Sequence, residues 1–161
     1  MTKWSEPSKI LLVSALTGPF VTAWYLRLFA VQADATLSPY VSRAFLPTMF
    51  VFMGAQTFGL WGVALVAFVH RLRGTQHTPW LVHAQVQLSF ASTAFSLYVL
   101  GTFTSSMAVM MLVLPVVGLL LFEPGPIKAG MVTGVVGGVV GIVLPALGLA
   151  PYAPFVGRAP H

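Results

Sequence analysis

Two apolar stretches joined by a very short turn limit what this chain can fold into. The first stretch runs over residues 107–122 and the second over residues 129–149, with Glu123-Pro124-Gly125-Pro126 forming the turn between them. Helices joined by so short a connection pack as antiparallel neighbours. Each stretch approaches the roughly 20 apolar residues that cross a bilayer, so this part of the chain predicts a membrane hairpin.

The composition places the whole chain in the membrane class. It is 57% hydrophobic and only 7% charged, with a mean hydropathy of +0.89, whereas a soluble domain carries about 25% charged residues. The net charge of +5 comes from eight Lys and Arg residues that stand singly or in pairs, which does not predict a nucleic-acid-binding patch. The absence of cysteine from the sequence excludes disulfides, thiolate nucleophiles and Cys-based zinc sites.

Five apolar stretches predict an all-α fold, a polytopic integral membrane bundle of about five transmembrane helices. Their approximate bounds are 10–30, 45–69, 82–101, 107–122 and 129–149, within one transmembrane domain over residues 1–161. The second is the clearest, since no charged residue lies between Arg43 and His70. The third carries two glutamines and a series of Ser and Thr residues, so we expect it to face protein and not lipid.

The positions of the cations predict the orientation of the bundle. With five crossings, one face carries Lys3, Lys9, Arg71, Arg73 and Lys128, and the other carries Arg27, Arg43 and Arg158. Cytoplasmic loops carry the excess of Lys and Arg, so we expect a multi-pass protein of the cell inner membrane with a cytoplasmic N-terminus. The C-terminus would then lie on the opposite face.

Small residues at helical spacing mark the last span as a packing surface. The glycines are Gly130, Gly134, Gly137, Gly138 and Gly141. Glycines four residues apart allow two helix backbones to approach closely in lipid. Two interpretations follow, a homodimer through this face or packing within the chain against the fourth helix.

Four polar residues within the second and third spans are candidates for contacts between helices: Gln56, Thr57, Gln85 and Gln87. Hydrogen bonds of this kind contribute roughly 1 kcal/mol each in membrane bundles. The same residues could instead line a small ligand pocket, and the sequence identifies no particular ligand.

Other ionisable residues do not predict a chemical site. His70, His77 and His83 are separated by seven and six residues, whereas metal-binding pairs on a helix fall at i and i+3 or i+4. Arg27 lies close enough to the end of its span for its side chain to reach the interface.

Catalytic patterns are also missing from the sequence. The chain has three acidic residues and none lies in the middle of a span, which argues against a proton relay. The sequence contains no Ser/His/Asp set and no glycine-rich phosphate loop. It therefore predicts no enzyme, no metal and no cofactor.

Three segments resemble a known kind of membrane domain. They are Leu100–Ser106, Leu114-Pro115 followed by Gly118–Phe122, and Gly148–Pro154. They resemble the six-helix membrane anchors of class III adenylate/guanylate cyclases, and are similar to those of some sensor histidine kinases and diguanylate cyclases. In such anchors a Gly/Thr/Ser turn links helices three and four, and a Pro-Tyr-Ala-Pro-like stretch leads toward a sixth helix. The resemblance implies a chain truncated after His161, before that helix and an effector domain.

Three functions remain open at this point. The first is a membrane anchor and sensor module of a bacterial signalling enzyme, without catalytic residues of its own. The second is a stand-alone integral membrane protein that serves as an accessory subunit or scaffold. The third is a small transporter, whose polar pathway would have to come from the glutamines and the Ser and Thr residues of the third span.

Overall fold

The computed structural model describes residues 4–34, 42–100 and 107–151, with the backbone alone over 107–112. All regular elements in these ranges are α-helices, which confirms the predicted all-α fold. They are α1 (Glu6–Ala33), α2 (Leu46–Leu72), α3 (Pro79–Leu100), α4 (Met107–Leu121) and α5 (Pro124–Ala146).

Local sequence explains where several helices begin and end. α1, α2 and α5 each carry a proline in the first turn, where the missing N–H has no helical partner to lose. α2 ends at Leu72, and Gly74 just beyond it adopts φ +70° as the predicted glycine cap requires. There the N–H of Thr75 donates to the carbonyl of His70, and the N–H of Gly74 donates to that of Arg71, both at 3.0 Å.

The connection between α4 and α5 is shorter than the sequence predicted. Glu123 is the N-cap of α5, and Pro124, Gly125 and Pro126 already belong to that helix. The predicted four-residue turn was therefore wrong, because proline suits the first turn of a helix as well as a loop. α1 also begins before its predicted bound, since hydropathy does not mark its polar first turn, and α3 begins at Pro79, three residues before its predicted start.

Contacts between helices fix their relative directions. Gly18 lies beside Trp61 and Gly54 beside Tyr25, so α1 and α2 are antiparallel. Gly59 lies beside Leu88, and the rings of Phe52 and Phe95 stack with centroids 3.6 Å apart, so α2 and α3 are antiparallel as well.

α3 and α5 run in the same direction. Gly130 lies beside Phe90, near the middle of α3, and Gly141 lies beside Tyr98, near its end. α5 meets α4 near the turn that joins them, where Gly118 lies beside Ile127.

α3 is the central helix of the bundle. It contacts all four other helices, and its contact with α5 is one of the two extensive ones, the other being that between α1 and α2. Buried positions occur all along α3, including the polar residues Gln85 and Ser92. The prediction that this helix faces protein is confirmed.

The outer surface of the bundle is that of a membrane-associated protein. Within the described residues, three helices are long and apolar enough to cross a membrane, namely α1, α2 and α5. Large apolar side chains are exposed on α1, α2, α4 and α5, among them Leu16, Phe58, Leu65, Leu120 and Val132. Soluble monomers rarely expose apolar patches beyond a few hundred Å².

Buried apolar residues form two clusters at opposite ends of the bundle. The inner cluster gathers Ile10, Ala67, Leu81, Val82, Val86, Phe90 and Ile127. The outer cluster gathers Leu28, Leu46, Met49, Met53 and Val99. The first cluster joins the starts of α1, α3 and α5 to the end of α2. The word inner refers here only to this end of the bundle, where α1 begins.

Candidate functional site

A cavity of about 370 Å³ lies between α1, α2, α3 and α4. It occupies the middle of the bundle and extends toward the outer cluster, since Met49, Met53 and Val99 belong to both. The volume is at the lower end of the roughly 300–1,000 Å³ typical of small-molecule pockets.

One wall of the cavity is formed by hydroxyl groups of α3. Ser89, Ser92, Thr93 and Ser96 all line it. Their spacing of three or four residues places them on one face of the helix. The Ser and Thr residues that the sequence places along the third span are therefore gathered on one cavity wall.

Several of the hydroxyl protons around the cavity are already used. Thr17 donates to the carbonyl of Val13 at 2.8 Å, Ser89 to that of Gln85 at 2.9 Å, and Thr93 to that of Ser89 at 2.9 Å. Such bonds within a helix satisfy the proton but leave lone pairs on the oxygen. These three hydroxyls therefore present hydrogen-bond acceptors to the cavity.

Gln56 lines the facing wall of the cavity, but its amide oxygen is enclosed by protein. It lines the cavity from the middle of α2, and its Oε1 atom is buried without a hydrogen-bond donor among the described residues. A buried acceptor left unpaired costs about 1–3 kcal/mol. Because this oxygen is not accessible from the cavity, it does not belong to the cavity's hydrogen-bonding surface.

The remainder of the cavity is apolar and uncharged. Phe20, Trp24, Met49 and Met53 contribute to it, and no charged side chain lines it within the described part of the chain. Leu16 and Phe20 at its edge are 71% and 56% exposed. The cavity therefore opens on the apolar outer surface of α1.

The four residues predicted to form polar contacts between helices have different surroundings in the structure. Thr57 donates to the carbonyl of Met53 in its own helix at 2.7 Å, so its proton is used within α2. Gln87 accepts from Thr133 of α5 at 2.6 Å. Gln85 receives a long contact of 3.5 Å from Ser14 of α1, and its Nε2 atom has no partner among the described residues. Gln56 is the member of this set that lines the cavity.

Most of the predicted glycine row packs against α3 of the same chain. A Cβ atom added at Gly130 would lie 2.5 Å from Val86, one at Gly137 would lie 2.7 Å from Ala94, and one at Gly141 would lie 3.2 Å from Tyr98. Gly134 is buried as well. The intramolecular alternative named α4 as the partner, whereas the close contact is made with α3.

Gly138 differs from the other members of the row. A Cβ atom added there would meet nothing within 4 Å. It is the one predicted packing glycine for which the structure shows open space, and self-association of α5 stays a prediction.

The inner end of the bundle contains a polar contact that the sequence did not predict. The Glu6 carboxylate accepts a hydrogen bond from the backbone N–H of Thr78, and the Glu6 N–H donates to the Gln76 carbonyl at 3.1 Å. His77 Nδ1 lies 3.6 Å from the same carboxylate. A negative charge at the start of α3 is favourable, because the N-terminus of a helix carries partial positive charge. Below, these contacts are called the Glu6 clamp.

The three histidines are dispersed around this end. His70 lies 3.4 Å from the hydroxyl of Thr75, His77 lies beside Glu6, and His83 is exposed. Within the described residues no three His, Cys, Asp or Glu side chains come together as metal ligands would.

Comparisons with known proteins identify no relative of this chain. No protein-family model, no curated protein and no solved structure matches it. In the described residues, the fold and the cavity define an all-helical protein with three helices apolar enough to span a membrane and a cavity whose described lining carries no charge.

Proposed function

We propose that all five helices cross the inner membrane of a bacterium. The alternating directions of the helices support this, because α1, α3 and α5 run one way and α2 runs the other. α3 is less apolar than a lipid-facing span, but it is covered by the four other helices. α4, with 15 residues, is about 22 Å long at 1.5 Å per residue, and local thinning of the bilayer can accommodate a short span.

The N-terminal end of the bundle is assigned to the cytoplasm. Lys9, Arg71, Arg73 and Lys128 lie near the ends of α1, α2 and α5 that meet at the inner cluster. In the described residues the opposite end has Arg43 and, about two turns inside α1, the exposed Arg27. This distribution supports the orientation in which the positive end is cytoplasmic.

The absence of cysteine makes the topology directly testable. Single cysteines at Gln76, Ala33 and Ser105 would report the α2–α3 loop, the end of α1 and the α3–α4 connection. In intact spheroplasts, we expect a membrane-impermeant maleimide to label Ala33→Cys and Ser105→Cys, and to label Gln76→Cys only after lysis. If Ser105→Cys is also protected until lysis, α3 does not cross and the five-span arrangement is wrong.

Within this topology, the function we assign is that of a membrane anchor and sensor module of a bacterial signalling enzyme. The observation that carries the assignment is the cavity, because a ligand held between α1, α2, α3 and α4 would change how the helices pack. The cavity offers no pair of nucleophile and base: its described side chains are apolar, hydroxyl or amide groups. A binding role suits such a set better than catalysis.

The transporter alternative has less support. A polar pathway would have to come from the glutamines of α2 and α3 together with the Ser and Thr residues of α3. Gln56 and the hydroxyls of α3 line the cavity. Gln87 bonds to α5 and Thr57 bonds within α2, so these two residues do not join Gln56 at the cavity.

The gene sequence after the codon for His161 tests the signalling assignment. We expect the reading frame to continue into a sixth apolar span and then into a cyclase-like or kinase-like domain. A stop codon at that point would favour the stand-alone accessory protein instead.

A further inference from the structure

We propose that the cavity binds a neutral, lipophilic molecule through a carbonyl oxygen, which accepts hydrogen bonds from the hydroxyl groups of Ser92 and Ser96. The inference rests on the proposed function and deepens it, because it names the class of ligand that the sensor module would detect. Three observations carry it: two hydroxyl groups without an acceptor, walls without charge, and an entrance on the apolar surface of α1.

Ser92 and Ser96 differ from the other hydroxyl groups that line the cavity. Thr17, Ser89 and Thr93 each donate to a carbonyl of their own helix. Neither Ser92 nor Ser96 donates to any group in the described part of the chain. Ser92 is only 4% exposed, so a molecule inside the cavity is the partner that its hydroxyl can reach.

Both of these hydroxyl groups are accessible from the cavity. In the described residues, the unpaired side-chain atoms that the protein encloses completely are Oε1 of Gln56, Oγ1 of Thr78 and Nε2 of Gln85. The hydroxyl oxygens of Ser92 and Ser96 are not among them, and both residues line the cavity. Their protons therefore belong to the hydrogen-bonding surface that a ligand meets.

The spacing of the two serines suits a single carbonyl oxygen. Residues four apart lie one turn from each other on the same face of a helix, with Cβ atoms about 5–6 Å apart. An oxygen between them accepts from both hydroxyl groups, because a carbonyl has two lone pairs. A group that only donates would leave both serine protons unpaired. Thr17, Ser89 and Thr93 already have their protons paired, so the ligand needs no donor of its own.

The rest of the lining favours an uncharged and lipophilic ligand. No charged side chain lines the cavity in the described residues, and an ion without a partner in an apolar interior is strongly disfavoured. Phe20, Trp24, Met49 and Met53 contribute to the apolar walls, and thioether sulfurs make favourable contacts with aromatic rings. A cavity of about 370 Å³ therefore suits a ketone or quinone with one or two rings.

The exposed edge of the cavity gives such a molecule access from the membrane. Leu16 and Phe20 line this edge and are exposed on the outer surface of α1. A neutral ketone dissolves in the bilayer before it binds, so the entrance does not have to be open to water.

The test compares 1-tetralone, a bicyclic ketone, with tetralin, which has the same rings but no carbonyl. Both compounds would be equilibrated by dialysis with the full chain in lipid nanodiscs, with empty nanodiscs as the reference. Dissociation constants would be expressed relative to the concentration of each compound in the lipid, a scale on which partitioning alone gives no preference. We expect 1-tetralone to bind about 10-fold more tightly, because the cavity supplies hydrogen-bond donors that the hydrocarbon layer lacks. Equal binding, tighter binding of tetralin, or no saturable binding of 1-tetralone would overturn the proposal.

Two matched variants assign the preference to the serines. The double variant Ser92→Ala/Ser96→Ala should abolish the preference for 1-tetralone and retain the binding of tetralin, because it removes both donors and keeps the apolar walls. Ser14→Ala should keep the preference, because this buried hydroxyl contacts Gln85 at 3.5 Å and does not line the cavity. Thermal unfolding verifies that each variant is folded. If the double variant is not, Ser92→Ala and Ser96→Ala are measured singly, and each should reduce the preference. A preference that is unchanged in the folded serine variants contradicts the proposal.

The gene sequence after His161 and the cysteine labelling separate the ligand class from the proposed function. Correct labelling and a continuing reading frame, without a preference for 1-tetralone, overturn the ligand class and leave the proposed function in place. A stop codon after His161, with the preference present, overturns the signalling assignment and leaves the ligand class in place.

Discussion

The two faces of α3 differ in how closely they pack against neighbouring helices. Toward α5, the helix presents Val86, Phe90, Ala94 and Tyr98, and three glycines of α5 lie directly against these side chains. Toward α1 and α2, it presents Ser89, Ser92, Thr93 and Ser96, and a cavity remains between the helices. On the side toward α5, here called the filled face, a methyl group added at Gly130 or Gly137 would collide with α3. On the other side, the open face, a cavity of about 370 Å³ remains.

The difference follows from which helix carries the small residues. At the α3–α5 contact, α5 presents glycines, which have no side chain. The two backbones therefore approach closely, and the larger side chains of α3 fill the space between them. On the other face the small residues belong to α3, but α1 and α2 contribute Phe20, Trp24 and Met53. Bulky side chains opposite small ones keep the helices apart, so a cavity can persist between them.

The largest loss of stability is expected when a side chain on the filled face of α3 is enlarged. Ala94→Leu would push three more carbon atoms against Gly137, where even an added Cβ would lie 2.7 Å from Ala94. Overpacking of this kind costs about 1–3 kcal/mol, and we expect the upper end of that range. Thermal unfolding in detergent, followed by tryptophan fluorescence, measures the change.

Gly138→Leu is the matched control for this prediction. It adds the same side chain on α5 at a position where the structure shows open space. An unfolding temperature that falls as far in Gly138→Leu as in Ala94→Leu would mean that the close α3–α5 contact is not the cause.

The second-largest loss of stability is expected at the start of α3, next to both faces. Glu6→Ala removes the Glu6 clamp, and we expect a loss of about 2 kcal/mol because a hydrogen bond to a charged group contributes roughly 1.5–3 kcal/mol. Glu6→Gln retains an acceptor for the Thr78 N–H and should lose less. Equal stability of wild type and Glu6→Ala in chemical unfolding would show that the clamp has no energetic role.

The third effect tests the polar bond within the filled face. Thr133→Val removes the donor to Gln87 and should cost about 1 kcal/mol, as hydrogen bonds between membrane helices do. Thr133→Ser keeps the hydroxyl and should retain most of the stability. A double-mutant cycle with Gln87→Met isolates the coupling between the two side chains, and a coupling near zero would contradict the bond.

The smallest effect is expected on the open face. Ser96→Leu places apolar atoms in the cavity, so we expect the free energy of unfolding to change by less than about 1 kcal/mol, with an increase favoured as the void is filled. A destabilisation as large as that of Ala94→Leu would show that the two faces do not differ as described.

Much of the fold could be predicted from the sequence because its signals are local. The apolar runs gave the helical class, the polar residues of the third run indicated a helix surrounded by protein, and Gly74 marked the end of α2. The start of α5 was missed, since the Pro124–Pro126 segment is compatible with a turn and with a first helical turn alike.

Contacts distant in the sequence could not be predicted in this way. The α5 glycines pack against α3, although the short connection to α4 suggested the neighbouring helix as their partner. The Glu6 clamp joins residues 72 positions apart. The cavity depends on the side chains of four helices at once, so the sequence could identify Gln56 as polar without showing that its oxygen lacks a donor.

The Glu6 clamp has a consequence for the order in which the protein is assembled. It connects the first turn of α1 to the residue that precedes α3, so both of its partners have been synthesised before α4 and α5 leave the ribosome. The first three helices can therefore close on each other during synthesis. The last two would then dock onto a surface that is already in place, and a defect at Glu6 should delay biogenesis before it affects the finished protein.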